Sequence, residues 1–390
     1  MIKKRKIVFL TGTRADFGKL KPLMDKVEKS DIFDCYIFVT GMHTLKKYGN
    51  TSREVIKCKY KNIEIFDNQK NSKKQDIILA NTIFGFSDYV TKLHPDMVIV
   101  HGDRAEALGG AIVGSLNNTL VSHIEGGEIS GTIDELIRHA VSKLSHIHFV
   151  ANSDAKERLS QMGEKQESVF TIGSPEIDVM RSSDLPSLND TKLRYEIPFS
   201  KYSIFIFHPV VTELDSMKKQ IQEVIACLIE SNQNYIVVYP NNDPGSDIII
   251  DELKILENNK QFKIFPSIRF QNFLTLLKNA NFVIGNSSVI IREAEVFGTP
   301  AINIGSRQKN RSKNTEIFNV NSDRNEILQT IKSTQKLKLE PKSFFGDTTN
   351  SAEKFIEILH DSLIWKTSIQ KQFVDIDKLV TTSLNRTVKT

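Results

Sequence analysis

The chain opens with a short apolar stretch, 6–10 (KIVFL), and stretches of the same kind return at 36–40, 97–101, 120–124 and 147–150. Each is rich in Val, Ile and Phe and reads as a strand buried on both faces. Between them, 18–29, 76–92, 104–116 and 134–144 carry apolar residues at helical spacing. Strands that alternate with helices of this length imply crossover connections and a parallel sheet. From 180 to 203 the pattern loosens into a connector that holds Pro186 and Pro198 among Ser, Asn and Asp. Alternation then restarts, with strands expected at 204–207, 235–239, 262–265, 282–284 and 301–304. The stretch after Trp365 (KTSIQKQFVDIDKLV) is expected to be a helix before a polar end. The pattern predicts successive parallel α/β units of similar size facing a cleft.

Open parallel sheets bind ligands beyond the carboxyl ends of their strands. That rule marks the loops 12–19, 101–106, 123–132, 208–212, 240–246, 285–288 and 305–311, and nearly every unusual polar cluster falls in them. Gly12-Thr-Arg14-Ala-Asp-Phe-Gly18-Lys19 is neither a Walker loop nor GxGxxG. A Gly turn at a helix start still offers amides to an anion, with Arg14 and Lys19 beside it; a tight turn with solvated cations is the plainer alternative. His101-Gly-Asp103-Arg104 ends an apolar strand in ionisable groups that a core strand does not need, although Asp103 could be only a helix cap. His123-Ile-Glu125-Gly-Gly127-Glu128 repeats the design, with glycines that let the backbone turn sharply and aim Glu125 at the same cleft. Asp134 and Arg138 stand at i and i+4 of the next helix, where a salt bridge alone would account for them. Asp103, Glu125 and Asp134 around one rim would raise one another's pKa, as acid–base chemistry at neutral pH requires.

The second unit carries a different set. His208-Pro209 ends its first strand, across the cleft from the acids. Gly285-Asn-Ser287-Ser288 precedes a helical stretch with Arg292 and Glu293. Hydroxyls and amides at a helix start suit a phosphate, and Glu293 can grip ribose hydroxyls; a Ser N-cap is the simpler account. Gly305-Ser-Arg307-Gln-Lys-Asn-Arg311 is a diphosphate clamp or a solvated loop. Acids on one unit and anion-binding groups on the other match a nucleotide diphosphate joined to a neutral reacting sugar.

Composition narrows the setting. With 390 residues, 39% hydrophobic and 25% charged, the chain is globular, and disorder or collagen-like repeats are excluded. No apolar run nears the roughly 18–20 residues of a membrane span, and 7–10 is too short for a signal-peptide core of about 7–15 residues. A cytoplasmic protein without a membrane partner is expected. Lys and Arg total 52 against 47 Asp and Glu, net +5, too small an excess to argue for nucleic acid. Cys35, Cys58 and Cys227 form no CxxC or zinc spacing and read as core thiols in a reducing compartment. No metal or other cofactor is expected.

Taken in order, GTRADFGKLKPLM, VHGDRAEAL, HIEGGEISGTIDELIRHAVSKLSHIH, YPNNDPGS, IGNSSVIIREA and NIGSRQKNR resemble the hydrolysing UDP-N-acetylglucosamine 2-epimerases of bacterial sialic-acid pathways and the epimerase half of the bifunctional animal enzyme. Non-hydrolysing relatives favour Pro-Glu after the first Arg, Asp-Thr at the position of Asp103-Arg104, and Ala-Gly-Leu-Arg-Thr after the Glu matching Glu125. Gly18 stands where the animal enzyme carries Ser. The resemblance implies a GT-B fold, two Rossmann-like domains with parallel sheets facing a central cleft. The boundaries expected are 1–180 for the domain of the catalytic carboxylates, 181–360 for the UDP-binding domain, and 361–390 for a helix returning to the first. It implies Asp103, Glu125 and Asp134, with His208, as catalytic groups, and Arg14, Lys19, Arg104, Arg138, Asn241, Ser287, Ser288, Glu293 and Arg307 as substrate-binding residues. It also implies a homodimer or homotetramer.

The reaction so implied converts UDP-N-acetylglucosamine and water to N-acetylmannosamine and UDP. The proton at carbon 2 is not acidic by itself; loss of UDP from carbon 1 makes its removal feasible. Elimination to 2-acetamidoglucal, then hydration with the proton returned to the opposite face, is the expected course, with the individual roles of the three acids left open. The rivals are a GT-B glycosyltransferase, a nucleotide-sugar sensor, and a 2-epimerase acting on a UDP- or GDP-linked 2,4-diacetamido sugar for legionaminic acid.

Overall fold

The computed structural model describes residues 4–70, 74–130, 132–308, 311, 315–335, 337–342 and 350–375. The first sheet comprises β1 (Arg5–Thr11), β2 (Phe33–Val39), β3 (Asn62–Ile65), β4 (Met97–His101), β5 (Leu120–Ile124), β6 (Ile147–Val150) and β7 (Val169–Thr171), in the order 3-2-1-4-5-6-7. The second comprises β8 (Ser203–Ile206), β9 (Tyr235–Val238), β10 (Phe262–Phe265), β11 (Val283–Gly285), β12 (Ala301–Ile304) and β13 (Phe318–Val320), in the order 10-9-8-11-12-13. All neighbouring strands run parallel. This is the GT-B arrangement of two Rossmann-like units. Each sheet reverses its strand order at its centre, β1/β4 and β8/β11, where such sheets hold ligands.

The central strands read as unbroken apolar runs because helices cover both faces. In β1, Ile7 and Phe9 join one core with Leu20 and Met24 of the helix Arg14–Glu28, while Val8 and Leu10 join another with Phe86, Ala111 and Val141. Strands β3, β7 and β13 have no such run and were not legible in the sequence pattern. Each lies at a sheet edge, is three or four residues long, and leaves residues exposed.

The C-terminal stretch departs from expectation. The helix Ser351–His360 packs on the first sheet, with Phe355 against Phe149 at 4.9 Å between ring centroids, rather than with the second unit. After the turn Ile364–Lys366, residues 367–375 form an extended strap, not a helix, and 376–380 lie outside the described residues. Bonds to the first unit hold the strap open. Lys371 Nζ donates to the carbonyls of Ser142, Lys143 and Ser145 (3.0, 2.9 and 2.6 Å) at the end of the helix Ile133–Leu144. The Val374 amide donates to Gly163 O at 3.0 Å. Among the described residues no helix is long and apolar enough to cross a membrane.

Candidate active site

The turn after β1 is built from its own side chains. Thr13 caps the helix Arg14–Glu28, and Asp16 accepts from Thr11 Oγ1 and from the amides of Gly12 and Thr13 at 2.5, 2.9 and 3.0 Å. Those amides, and that of Asp16 bonded to Thr13 Oγ1, are therefore spent within the turn, contrary to the expectation that they face an anion. What the turn presents is Arg14, whose guanidinium donates to Ser267 Oγ at 2.7 Å and Glu54 Oε1 at 2.8 Å.

At the ends of β4 and β5 the acids are set by unusual backbone. Gly102 (φ 70°) precedes Asp103, and Glu125 itself is left-handed (φ 63°), a conformation a side chain adopts at some cost. Glu125 is 3% exposed. Its Oε1 accepts from Ser174 Oγ at 2.5 Å and from Arg292 at 2.8 Å, and its Oε2 lies 3.2 Å from His101 Nε2. Asp103 and Asp134 are more open, with side chains 23% and 26% exposed. Arg138 does not pair with Asp134 one turn away: it binds Asp103, Glu128 Oε2 (3.1 Å) and Glu125 O (2.9 Å). Asp134 instead meets Arg307 from the second unit at 3.3 Å.

These partners overturn the expectation that the three acids raise one another. Burial pushes the Asp103 carboxyl up, but the guanidiniums of Arg138 and Arg311 hold it well below the usual carboxylate range. Burial likewise opposes ionisation of Glu125, and Arg292, Lys19 and His101 outweigh it. Only Asp134 is raised, by burial and then by the Asp103 charge, with Arg307 working against both. For Asp103 and Glu125 the guanidiniums outweigh burial; for Asp134 burial and the Asp103 charge outweigh Arg307.

The second unit offers a hollow of about 150 Å³ at the ends of β8, β9 and β11, walled by Ile206, Val238 and Phe273. Arg14, His208, Asn241, Ser287 and Glu293 line it. His208 is pinned by Asn286, which accepts its amide at 2.6 Å and donates to its carbonyl at 2.8 Å, while His208 Nδ1 accepts from the Asn241 amide at 3.2 Å. Burial, then the charges of Arg307 and Arg104, hold its imidazole far below its ordinary pKa and hence neutral. Glu293 is pushed up to about 7, first by burial and then by Glu176, against Lys19 and Arg292.

The other expected binding residues lie outside that hollow. Arg104 crosses the cleft to Asn242 Oδ1 (2.7 Å), not to Asn241, and reaches Asp243 at 3.5 Å. Lys19 pairs with Glu176. Ser288 opens the 3-10 turn that follows Ser287, whose hydroxyl accepts from Val289 N at 3.4 Å, so Ser287 is both a cap and a wall of the hollow. Arg307 faces Asp134 and donates to Asn286 O at 3.3 Å. The second-unit cations thus meet the first-unit acids around one cleft.

A family model described as UDP-N-acetylglucosamine 2-epimerase matches residues 25–360. The chain belongs to that family. The UDP-N-acetylglucosamine 2-epimerase of Neisseria meningitidis is 46% identical over 376 residues, 96% of this chain and all of that one. The UDP-N,N'-diacetylbacillosamine 2-epimerase (hydrolyzing) of Legionella pneumophila is 35% identical, over 89% and 93% of the two chains. The polysialic acid biosynthesis protein P7 of Escherichia coli is 30% identical, over 97% and 99%. In fold, the chain superposes on the crystal structure of Methanocaldococcus jannaschii UDP-GlcNAc 2-epimerase in complex with UDP-GlcNAc and UDP with TM-score 0.76, at 20% identity, covering 91% and 99% of the two chains.

Several groups of this family member's cleft were not singled out in the sequence. Ser267, which links Arg14 to Tyr48 O at 3.0 Å, lies in an unremarkable Pro-Ser-Ile segment. Ser174 and Glu176 follow β7, a strand the sequence pattern did not show, and nothing local to Glu176 shows that it ends fully buried beside Arg292 and Lys19. Glu128 was inside a quoted motif, where its carboxylate could have been read with that of Glu125. Gly18, the departure from the animal enzyme, has a local reason: a Cβ there would sit 2.7 Å from the Phe270 side chain of the second unit.

Proposed function

We propose that the chain is a hydrolysing epimerase that converts UDP-N-acetylglucosamine and water to N-acetylmannosamine and UDP in sialic-acid-type biosynthesis. The observation that carries this reading is Asp134 beside Arg307, with ionised Asp103 held by Arg138 on the same side of the cleft. Asp134, raised toward its neutral form, suits proton transfer at carbon 2, and Asp103 lies beside it as an ionised partner. Arg307 and the neutral His208 stand where a departing diphosphate needs donors. Glu125 is enclosed behind them, backing His101. Similarity to the Neisseria enzyme supports the sugar, similarity to the hydrolyzing Legionella enzyme supports hydrolysis, and similarity to the polysialic acid biosynthesis protein P7 supports the sialic-acid setting.

The test is turnover in heavy-oxygen water and, separately, in deuterium oxide. Elimination followed by hydration places the oxygen label in N-acetylmannosamine and deuterium at carbon 2. Label in UDP overturns it. A second reading, a 2,4-diacetamido sugar substrate, is favoured by the Legionella relative and by the 32% identical GDP/UDP-N,N'-diacetylbacillosamine 2-epimerase (hydrolyzing) of Campylobacter jejuni. A panel of UDP- and GDP-linked amino sugars separates the two. The free thiols of Cys35, Cys58 and Cys227 support a reducing, cytoplasmic setting. Our reading includes a homodimer or homotetramer, supported by the exposed Phe84, Leu116 and Leu136 on helices packed side by side and read out by light scattering.

A further inference from the structure

Arg292 has no part in the reaction proposed above, yet first-unit carboxylates converge on it from several elements. It lies 3% exposed, five residues after Ser287 and next to Glu293, in the second-unit segment that lines the nucleotide hollow. Its Nη2 donates to Glu125 Oε1 at 2.8 Å and Ser174 Oγ at 3.1 Å, its Nη1 to Glu128 Oε2 at 2.5 Å, and its Nε to Glu176 Oε1 at 2.5 Å. Glu128 Oε2 also accepts from Arg138 at 3.1 Å, and Arg138 grips Asp103. One guanidinium from the second unit therefore touches Glu125 directly and reaches Asp103 through Glu128 and Arg138.

Buried carboxylates this close together are costly without cations among them. Lys19 and Arg138 belong to the first unit. Arg292 comes from the second unit, across the cleft from the acids it bonds. We propose that Arg292 is a positioning residue that, reaching over from the second unit, holds the first-unit acids in their working arrangement. This rests on the function proposed above and deepens it: the same segment that walls the nucleotide hollow completes the charge around Glu125. The groups facing Glu125 are His101 at the end of β4, Lys19 on the helix Arg14–Glu28, Arg138 on the helix Ile133–Leu144, Ser174 just after β7 and Arg292 itself. Among the groups that hold Glu125 ionised against burial, Arg292 acts most strongly, ahead of Lys19 and His101.

The experiment uses the full chain with Arg292→Lys and Arg292→Met, and measures UDP affinity by calorimetry, melting temperature, and kcat against pH. The lysine keeps a charge without the fork and carries the test alone if the methionine variant does not fold. UDP affinity is expected within about threefold of wild type, and kcat to fall about tenfold to a hundredfold. In Arg292→Met the acid limb of the kcat profile moves up by about one to three pH units, because Glu125 loses a contacting cation; in Arg292→Lys it moves less. A variant with a lowered melting temperature but wild-type kcat and acid limb overturns the proposal and leaves Arg292 a static staple. If wild-type protein makes no N-acetylmannosamine, the functional reading fails first; an active wild type with an unmoved limb sinks only the role of Arg292.

Discussion

The carboxyl ends of the two sheets occupy equivalent places in the same central strand order, yet burial has opposite outcomes there. Glu125 and Glu293 are both 3% exposed, and burial pushes both toward the neutral acid. In the first unit, Arg292 and Ser174 bond Glu125 directly and it stays ionised. In the second, Glu293 faces an apolar-walled hollow, its Oε2 has no hydrogen-bond partner among the described residues, and its carboxyl rises to about 7. Topology decides where a site forms; for Glu125 and Glu293, the partner in contact decides the charge the buried acid keeps. The reaction proposed above assigns proton transfer to the charged end and the nucleotide to the apolar end.

The largest effect that would break this contrast is expected at Asp103. Asp103→Asn should lower kcat by about 10²–10⁴-fold while UDP affinity stays within about threefold. Loss of UDP binding instead would make Asp103 part of the grip and erase the division of labour. Next in size is Glu293. Its folded pKa is raised from 4.5 to about 7, so its contribution to stability is full below pH 4.5 and is lost as pH rises through 7. Glu293→Gln should therefore melt higher than wild type at pH 8, by up to about 3 kcal/mol, with the difference gone near pH 4.5. A difference that does not change with pH would place Glu293 among ordinary surface acids. The smallest effect concerns the seam between the units. Gly18→Ser should cost about 1–3 kcal/mol by overpacking Phe270, read as a lower melting temperature, and Phe270→Leu in the same chain should recover part of it. No recovery would mean that the seam does not constrain position 18.

Much of the frame was legible because the central strands are apolar on both faces, and such runs stand out from the helices between them. The edge strands β3, β7 and β13 were not, since a short strand with one side in solvent carries no apolar run. The strap 367–375 was misread as a helix because its anchor, Lys371, finds its partners more than 200 residues away. Of the site, the acids and cations were legible as polar breaks at strand ends. Their pairing was not: Arg138 is one turn from Asp134 in sequence but serves Asp103 and Glu128.

The order of residues alone settled the α/β class, the paired parallel units, the loops that carry chemistry and, through its motifs, the family. These follow from periodicity and local turn chemistry, which neighbouring residues determine. Only the tertiary structure decided which acid meets which cation, that Asp103 and Glu125 stay charged while Asp134 and Glu293 rise, and that Arg292 spans the cleft. Burial and Coulomb attraction depend on distances between residues that the chain order does not hold.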